Sequence, residues 1–413
     1  MDLTEINGIW TLKVDMIQAV AFAVMTYYFG TWLKTKVQFL RKYSVSSPVV
    51  GGIIVAVILS TLEGFGVLRV EFDTTLQKQL MLAFFTTIGL MASLKIVRKG
   101  GLMLVGFLCA VSVLAVLQNV LGMSVATLFG LDARYGIMVG SVSLMGGLGT
   151  SAAFGPYFEQ MYGLTGATAV AITSATCVMT NSLITGGPMG EWLIRRHKVA
   201  TPKQTPGIQE EERLSKIVMG SEDETNKTWT PELMRAVAIV LVCMALGTVV
   251  SKLLSQFITL PAYIGAMIVA CVVRNIGDIF GYFDHESKAI NAVAEISLVL
   301  FVTMAINALK LHELVHLAIP IFAILVCQFL MLLLFARWVL FQFFGRDFDA
   351  VMLTVGGCGF CMGATSTGLT NMQGLAEKYG QSPKAWLIVS LVGAFLIDFI
   401  NALVITWFGT LGG

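Results

Sequence analysis

Apolar segments long enough to cross a bilayer recur from one end of this chain to the other, and this constrains its fold more than any other feature. In hydrocarbon every backbone N–H and C=O must be bonded internally, so stretches of about 20 apolar residues span as helices. Ten are expected, at about 14–33, 46–63, 80–95, 101–122, 165–193, 232–254, 259–276, 293–311, 314–341 and 383–408. The composition agrees. Of 413 residues, 56% are hydrophobic and 13% are charged, where a soluble domain carries about 25% charged; the mean hydropathy is +0.81. The fold class is therefore an all-α polytopic membrane protein. The net charge of +2 says nothing about partners, and no nucleic-acid partner is expected. The seven cysteines lie in apolar segments without a secreted disulfide spacing, so they read as small buried residues. Cys358 and Cys361 form C-x-x-C with no second pair, which a zinc site needs. Asp2, Glu5 and Asp15 crowd the N-terminus, so a cleavable signal peptide is not expected.

Two further apolar segments are broken by glycine. One is 135–160, with GGLGTSAAFG from Gly146 to Gly155; the other is 350–378, with GGCGFCMGATSTG from Gly356 to Gly368. Each reads as two half-helices entering and leaving on one side, a re-entrant hairpin. Non-helical backbone at membrane depth is tolerated only inside protein or along a wet cavity.

Charge sets the orientation. Of the 27 Lys and Arg residues, all but Lys13, Arg69, Lys78, Arg134, Lys252 and Lys310 fall on one side, around the polar stretch 194–231. That stretch has no apolar period and reads as a surface linker. By the positive-inside rule it is cytoplasmic and both termini are periplasmic. The two halves, 1–193 and 232–413, also echo each other. PVVGG at Pro48–Gly52 matches PAYIG at Pro261–Gly265, and FTTIGL at Phe85–Leu90 matches FVTMAI at Phe301–Ile306. Phe129, Gly130 and Asp132 match Phe344, Gly345 and Asp347; Gly149-Thr150-Ser151 matches Ala364-Thr365-Ser366; Tyr162-Gly163 matches Tyr379-Gly380. The offsets, 213 to 217, keep chain order. Five spans per half is an odd number, so the second repeat must be inverted. Inverted repeats with broken helices point to a secondary transporter working by alternating access.

The chemistry follows from the breaks. A half-helix N-terminus leaves N–H groups unpaired and carries partial positive charge, which can hold a carboxylate. Half-helix C-terminal ends and unwound carbonyls can hold Na⁺. Thr150, Ser151, Thr365, Ser366 and Thr367 add hydroxyl oxygens. The alternative is that these small residues only pack helices closely. Within spans, Asp398 and Asn401 lie in LIDFINAL and Asn181 in MTNSLI. An intramembrane carboxylate marks function by default; Asp398 can bind Na⁺ or a substrate ammonium group, or bond neighbouring helices. Asn371, after the second tip, is a similar candidate. Gln118, Asn119, Asn307 and Gln328 read as bonds between helices. HELVH at 312–316 is a full H-E-x-x-H, with His312 and His316 as ligands and Glu313 as base, but no third ligand follows, so an intramembrane zinc protease is a remote alternative. No Walker A loop is present, since Gly30–Thr35 lacks the glycine before the lysine. An ion gradient is the expected energy source.

At GGLGTSAA and GCGFCMGATSTGLTNM, with LMLAFFTTIGL (80–90), LKLHEL (309–314) and VGAFLIDFINALVI (392–405), the chain resembles the bacterial sodium/glutamate symporter family. The resemblance runs from about Leu33 to the last span. It implies a fold similar to sodium/citrate carriers: a homodimer with a fixed scaffold and a moving, elevator-type transport domain holding both hairpins. It implies uptake of L-glutamate with Na⁺ as coupling ion across the bacterial inner membrane. On matching motifs, site roles carry over to Gly146, Gly147, Gly149 and Thr150, to Gly363, Ala364, Thr365, Thr367 and Asn371, and to Asp398 and Asn401. Leu148 stands where the family has histidine, Ser151 where it has glycine and Ser366 where it has proline. These departures fall where substrate should sit, so another small carboxylate or amino acid, or H⁺ coupling, is the alternative.

Overall fold

A computed structural model describes residues 2–6, 9–38, 40, 46–202, 229–254, 261–281, 288–309 and 316–411. The chain begins with strands β1 (Asp2–Ile6) and β2 (Ile9–Val14). Helix α1 (Met16–Lys36) starts at Asp15, whose carboxylate takes the Gln18 N–H while Gln18 takes that of Asp15, a reciprocal cap that satisfies two orphan donors. Then come α2 (Ser47–Gly64), β3 (Leu68–Phe72), α3 (Thr75–Met91) and α4 (Leu94–Leu128). α5 (Ala133–Ile137) runs into a π-helical turn, Met138–Val142; α6 (Gly147–Tyr162) and α7 (Ala167–His197) follow. The second half holds α8 (Trp229–Leu254), α9 (Ala262–Phe280), α10 (Lys288–Asn307) and α11 (Ala318–Phe335), which continues through a π-helical turn to Phe343. Last come α12 (Phe348–Phe360), α13 (Thr365–Tyr379) and α14 (Pro383–Leu391), joined by a π-helical turn, Val392–Leu396, to α15 (Ile397–Leu411).

Among the described residues, eight helices are long and apolar enough to cross a membrane. The ten expected segments differ from these eight for two visible reasons. α3 has 17 residues and opens on the polar turn Thr75, Gln77, Lys78, which a hydropathy window passes over. The last segment is broken into α14 and α15 by its π-helical turn. The all-α expectation also omitted a small sheet. β1 pairs antiparallel with β2, Asp2 opposite Lys13 and Ile6 opposite Ile9. β2 pairs parallel with β3, Trp10 opposite Leu68 and Val14 opposite Phe72, and α1 and α2 form the crossover.

The helices pack as two sets. α1, α2, α3, α8, α9 and α10 lie against one another, and α4 to α7 with α11 to α15 form the other. Close approach rests on small residues: a Cβ at Gly51 would run into the Thr26 carbonyl, bringing α2 onto the backbone of α1. Large apolar side chains such as Met25, Ile58, Ile279, Phe322 and Trp407 stay exposed on the outside, where a helix in lipid carries them at no cost.

The two broken segments are built alike. Asp132 caps α5 through the Arg134 N–H, and Asp347 caps α12 through the Ala350 N–H. Gly163 (φ 66°) ends α6 after Tyr162, and Gly380 (φ 106°) ends α13 after Tyr379.

Candidate binding site

The first tip forms because the chain cannot stay helical at Gly140, where ψ is −129°. That break leaves the Ser141 N–H without a helical partner, while its carbonyl accepts the Met145 and Gly146 N–H groups at 3.2 and 3.0 Å. Two neighbouring spans bind here: Asn119 of α4 accepts the Ser141 N–H at 3.0 Å, and Asn401 of α15 also donates to the Ser141 carbonyl at 3.0 Å. The turn then crosses Gly146 and starts α6 at Gly147, in the left-handed region at φ 61°. Thr150 and Ser151 are buried in the first turns of α6.

The second tip, between α12 and α13, is tied down by hydroxyls. Thr367 Oγ1 takes the Ala364 N–H at 3.3 Å and sits 2.9 Å from the Gly359 carbonyl. Ser182 of α7 donates to the same carbonyl at 2.8 Å. Thr365 donates to the carbonyl of Gly393, in the π-helical turn of the last segment. Gln118 of α4 donates to the Cys361 carbonyl at 3.1 Å.

The tips meet. A Cβ at Gly147 would collide with the carbonyl oxygen of Gly363, so the two turns touch backbone to backbone. Gly149 faces Phe84 of α3 and Leu298 of α10, which sets the first tip at the boundary between the two sets of helices. Neither α6 nor α13 has a side-chain cap bonding its first-turn N–H groups. Two uncapped N-termini are thus brought together, each with partial positive charge. Around them lie buried polar atoms without a hydrogen-bond partner among the described residues: Ser141 Oγ, Ser151 Oγ, Asn119 Nδ2 and Asn401 Oδ1. Leaving such a group unmet costs about 1–3 kcal/mol, so oxygens of this kind suit a hard cation or a polar substrate.

The expected site residues divide by position. Gly146, Gly147, Gly149, Thr150 and Ser151 come together with Gly363, Ala364 and Thr365 at the touching tips, and Asn401 joins them through Ser141. Ser366 lies next to Thr365 and is exposed, and Thr367 is held within its own tip. Asn371 lies away from the gap, against Gly186, where its amide donates to the Ser182 carbonyl at 3.0 Å. Asn181 is half-buried on α7, and Asp398 is half-buried on α15. Of HELVH, only His316 is among the described residues, so that motif lies almost wholly outside them. Among the described residues no group of three or more His, Cys, Asp or Glu could hold a metal ion.

Ser141, Ser182 and Gly393 belong to the candidate site by their bonds at the tips and were not singled out from the sequence. Ser182 follows Asn181 directly, a polar pair in an apolar span, which was signal enough to single it out. Gln118 and Asn119, expected to bond between helices, are buried and bonded to the tips.

Apolar helices of crossing length with interrupted helices buried among them define a multi-pass membrane protein of the transporter class. The particular family is given by comparison. Residues 12–381 match the family model described as Sodium/glutamate symporter, and the chain belongs to that family. It is 37% identical over 393 residues to the Sodium/glutamate symporter of Escherichia coli (strain K12), covering 95% of this chain and 96% of that protein. It is 35% identical over 388 residues to the Sodium/glutamate symporter of Haemophilus influenzae, covering 93% and 95%. Among solved structures it aligns with a sodium proton antiporter from Methanocaldococcus jannaschii at 13% identity, with a TM-score of 0.42, over 96% of this chain and 98% of that one.

Proposed function

We propose that the chain is a secondary transporter that carries L-glutamate with Na⁺ across the bacterial inner membrane. One observation carries the reading beyond family membership: the two interrupted tips touch at Gly147 and Gly363, with uncapped half-helix N-termini and unpartnered oxygens beside them. Uncapped N-termini suit the substrate carboxylates. The oxygens of Ser141, Ser151 and Asn401, with the hydroxyls of Thr150 and Thr365, suit Na⁺. Asn181 and Asn371 are the more distant ion candidates.

In this reading ten spans form two inverted repeats, 1–193 and 232–413, with re-entrant hairpins at about 135–160 and 350–378 and a cytoplasmic linker at 194–231. The matched caps of α5 and α12 and the matched glycine ends of α6 and α13 support it. The set of helices without the tips is the scaffold, through which the protein forms a homodimer, and the set with the tips is the moving part. Exposure favours access from the second tip's side. Ser366, Thr370 and Gln373 form a polar exposed stripe on α13, whereas α6 is buried from Gly149 through Gly155.

The test is uptake of labelled L-glutamate into proteoliposomes. An inward Na⁺ gradient should drive it, and replacing Na⁺ by choline should abolish it. Equal uptake in choline contradicts the coupling.

A further inference from the structure

Asp398 is an ionisable side chain within an apolar segment, and its direction on the helix is informative. On α15, Ile397, Asn401, Ala402, Ile405 and Gly409 are buried, while Leu403 and Trp407 are exposed. At about 100° per residue, Asp398 falls in the middle of the buried stripe, opposite Leu403 and Trp407. It is nevertheless only half-buried. A side chain on this face points toward the neighbouring helices and away from Leu403 and Trp407. Among the described residues no hydrogen bond or ion pair engages its carboxylate.

Its own segment sets its place relative to the tips. Five residues before it, Gly393 accepts the Thr365 hydroxyl of the second tip. Three residues after it, Asn401 donates to Ser141 at the break of the first tip. Asp398 is therefore held between the two points at which the last segment grips the tips.

We propose that Asp398 binds the ammonium group of the substrate, so that the protein selects amino acids over dicarboxylic acids of the same length. This rests on the reading of the protein as a glutamate carrier. Glutamate brings two carboxylates and one ammonium group. The tips bring two uncapped N-termini, each attractive to a carboxylate, and Asp398 supplies the one negative charge that complements the ammonium. A dicarboxylate without the amine leaves Asp398 unpaired beside a second negative charge, and a repulsive element of that kind produces specificity. A carboxylate at membrane depth is costly to keep, which argues for a charged partner during the cycle. Oxygens suited to Na⁺ already lie elsewhere, at Ser141 Oγ and Asn401 Oδ1.

The experiment compares L-glutamate with glutarate, which has the same two carboxylates and no amine. Dissociation constants are measured by calorimetry on the full-length protein in saturating Na⁺, for wild type and Asp398→Asn, together with the Na⁺ dependence of glutarate binding. Wild type should prefer glutamate by on the order of 100-fold, as for a charge-assisted hydrogen bond. Asp398→Asn should lose most of its glutamate affinity and hold glutarate as well as wild type or better, with the same Na⁺ dependence. Equal affinity of wild type for the two ligands overturns the proposal without any variant, and leaves the Na⁺-coupled carboxylate reading standing. Equal loss of both ligands in Asp398→Asn, or a weakened Na⁺ dependence, overturns it in favour of an ion-binding or structural carboxylate. Binding of neither ligand by wild type overturns the glutamate reading and this inference with it.

Discussion

Gly147 answers two demands at once, a left-handed backbone and a neighbouring carbonyl where a Cβ would sit. A Cβ in the left-handed region costs about 1–2 kcal/mol, and the Gly363 carbonyl has to move as well. Gly147→Ala should therefore lower the thermal unfolding midpoint and impair transport. Gly374→Ala on α13, with open space around its Cα, should leave both near wild type. Hydroxyl chemistry at the tips gives a second comparison. Thr150→Val and Thr365→Val should each reduce the initial rate of glutamate uptake more than Thr61→Val, which is exposed on α2. The tip hydroxyls and Asp398 were legible in the sequence because polar residues stand out in glycine-rich or apolar runs. The partners of Ser141 were not. Its pairing with Asn119 and Asn401 depends on the register of three helices 22 and 260 residues apart in the chain, and no local pattern encodes that.

Between α3 and α4 the chain passes from one set of helices to the other, and the structure pins that crossing. Asn275 of α9 accepts the Leu94 N–H and donates to the Ala92 carbonyl, both at 2.8 Å. Ser93 donates to Asp278, which also pairs with Arg274 at 3.1 Å. Beyond this anchor the helical backbone of α4 breaks at Gly101 (φ 66°, ψ −164°). The Arg274–Asp278 pair is almost fully buried, with side-chain exposures of 6% and 9%. Removing one partner of such a pair costs about 3–5 kcal/mol. Asp278→Ala should accordingly lower the unfolding midpoint of the purified protein far more than Glu191→Ala, whose pair with Lys378 is exposed; equal effects would show that the anchor is not structural. At this scale the helices were readable from hydropathy, but their polar first turns were not, as in α3. The sheet was missed for a different reason. Asn7-Gly8 between Ile6 and Ile9 is a two-residue hairpin signal, yet its strands are short, and the partner that stabilises them, β3, lies beyond two helices.

Viewed whole, two sets of helices meet where the tips touch, and the family is one of transporters rather than enzymes. The polar stripe of α13 predicts a water path on the second tip's side. Cysteines placed at Thr370 and Gln373 should react with a membrane-impermeant thiol reagent from the linker side of sealed vesicles and be protected from the other. Reaction from the opposite side alone would reverse the proposed orientation. The proposed two-fold inversion rests on the ordered matches between the halves, with caps and turn glycines recurring where the backbone stops or bends. The contact between the tips was not, since it is a tertiary meeting of two loops more than 200 residues apart. The central claim, that a Na⁺ gradient moves glutamate through this site, is tested most directly by concentrative uptake at zero membrane potential. With Na⁺ high outside and no proton gradient, glutamate should accumulate inside proteoliposomes above its outside concentration and fall back when the Na⁺ gradient is collapsed by an ionophore. Uptake that stops at equal concentrations, or that is driven by a proton gradient with Na⁺ absent, would contradict it.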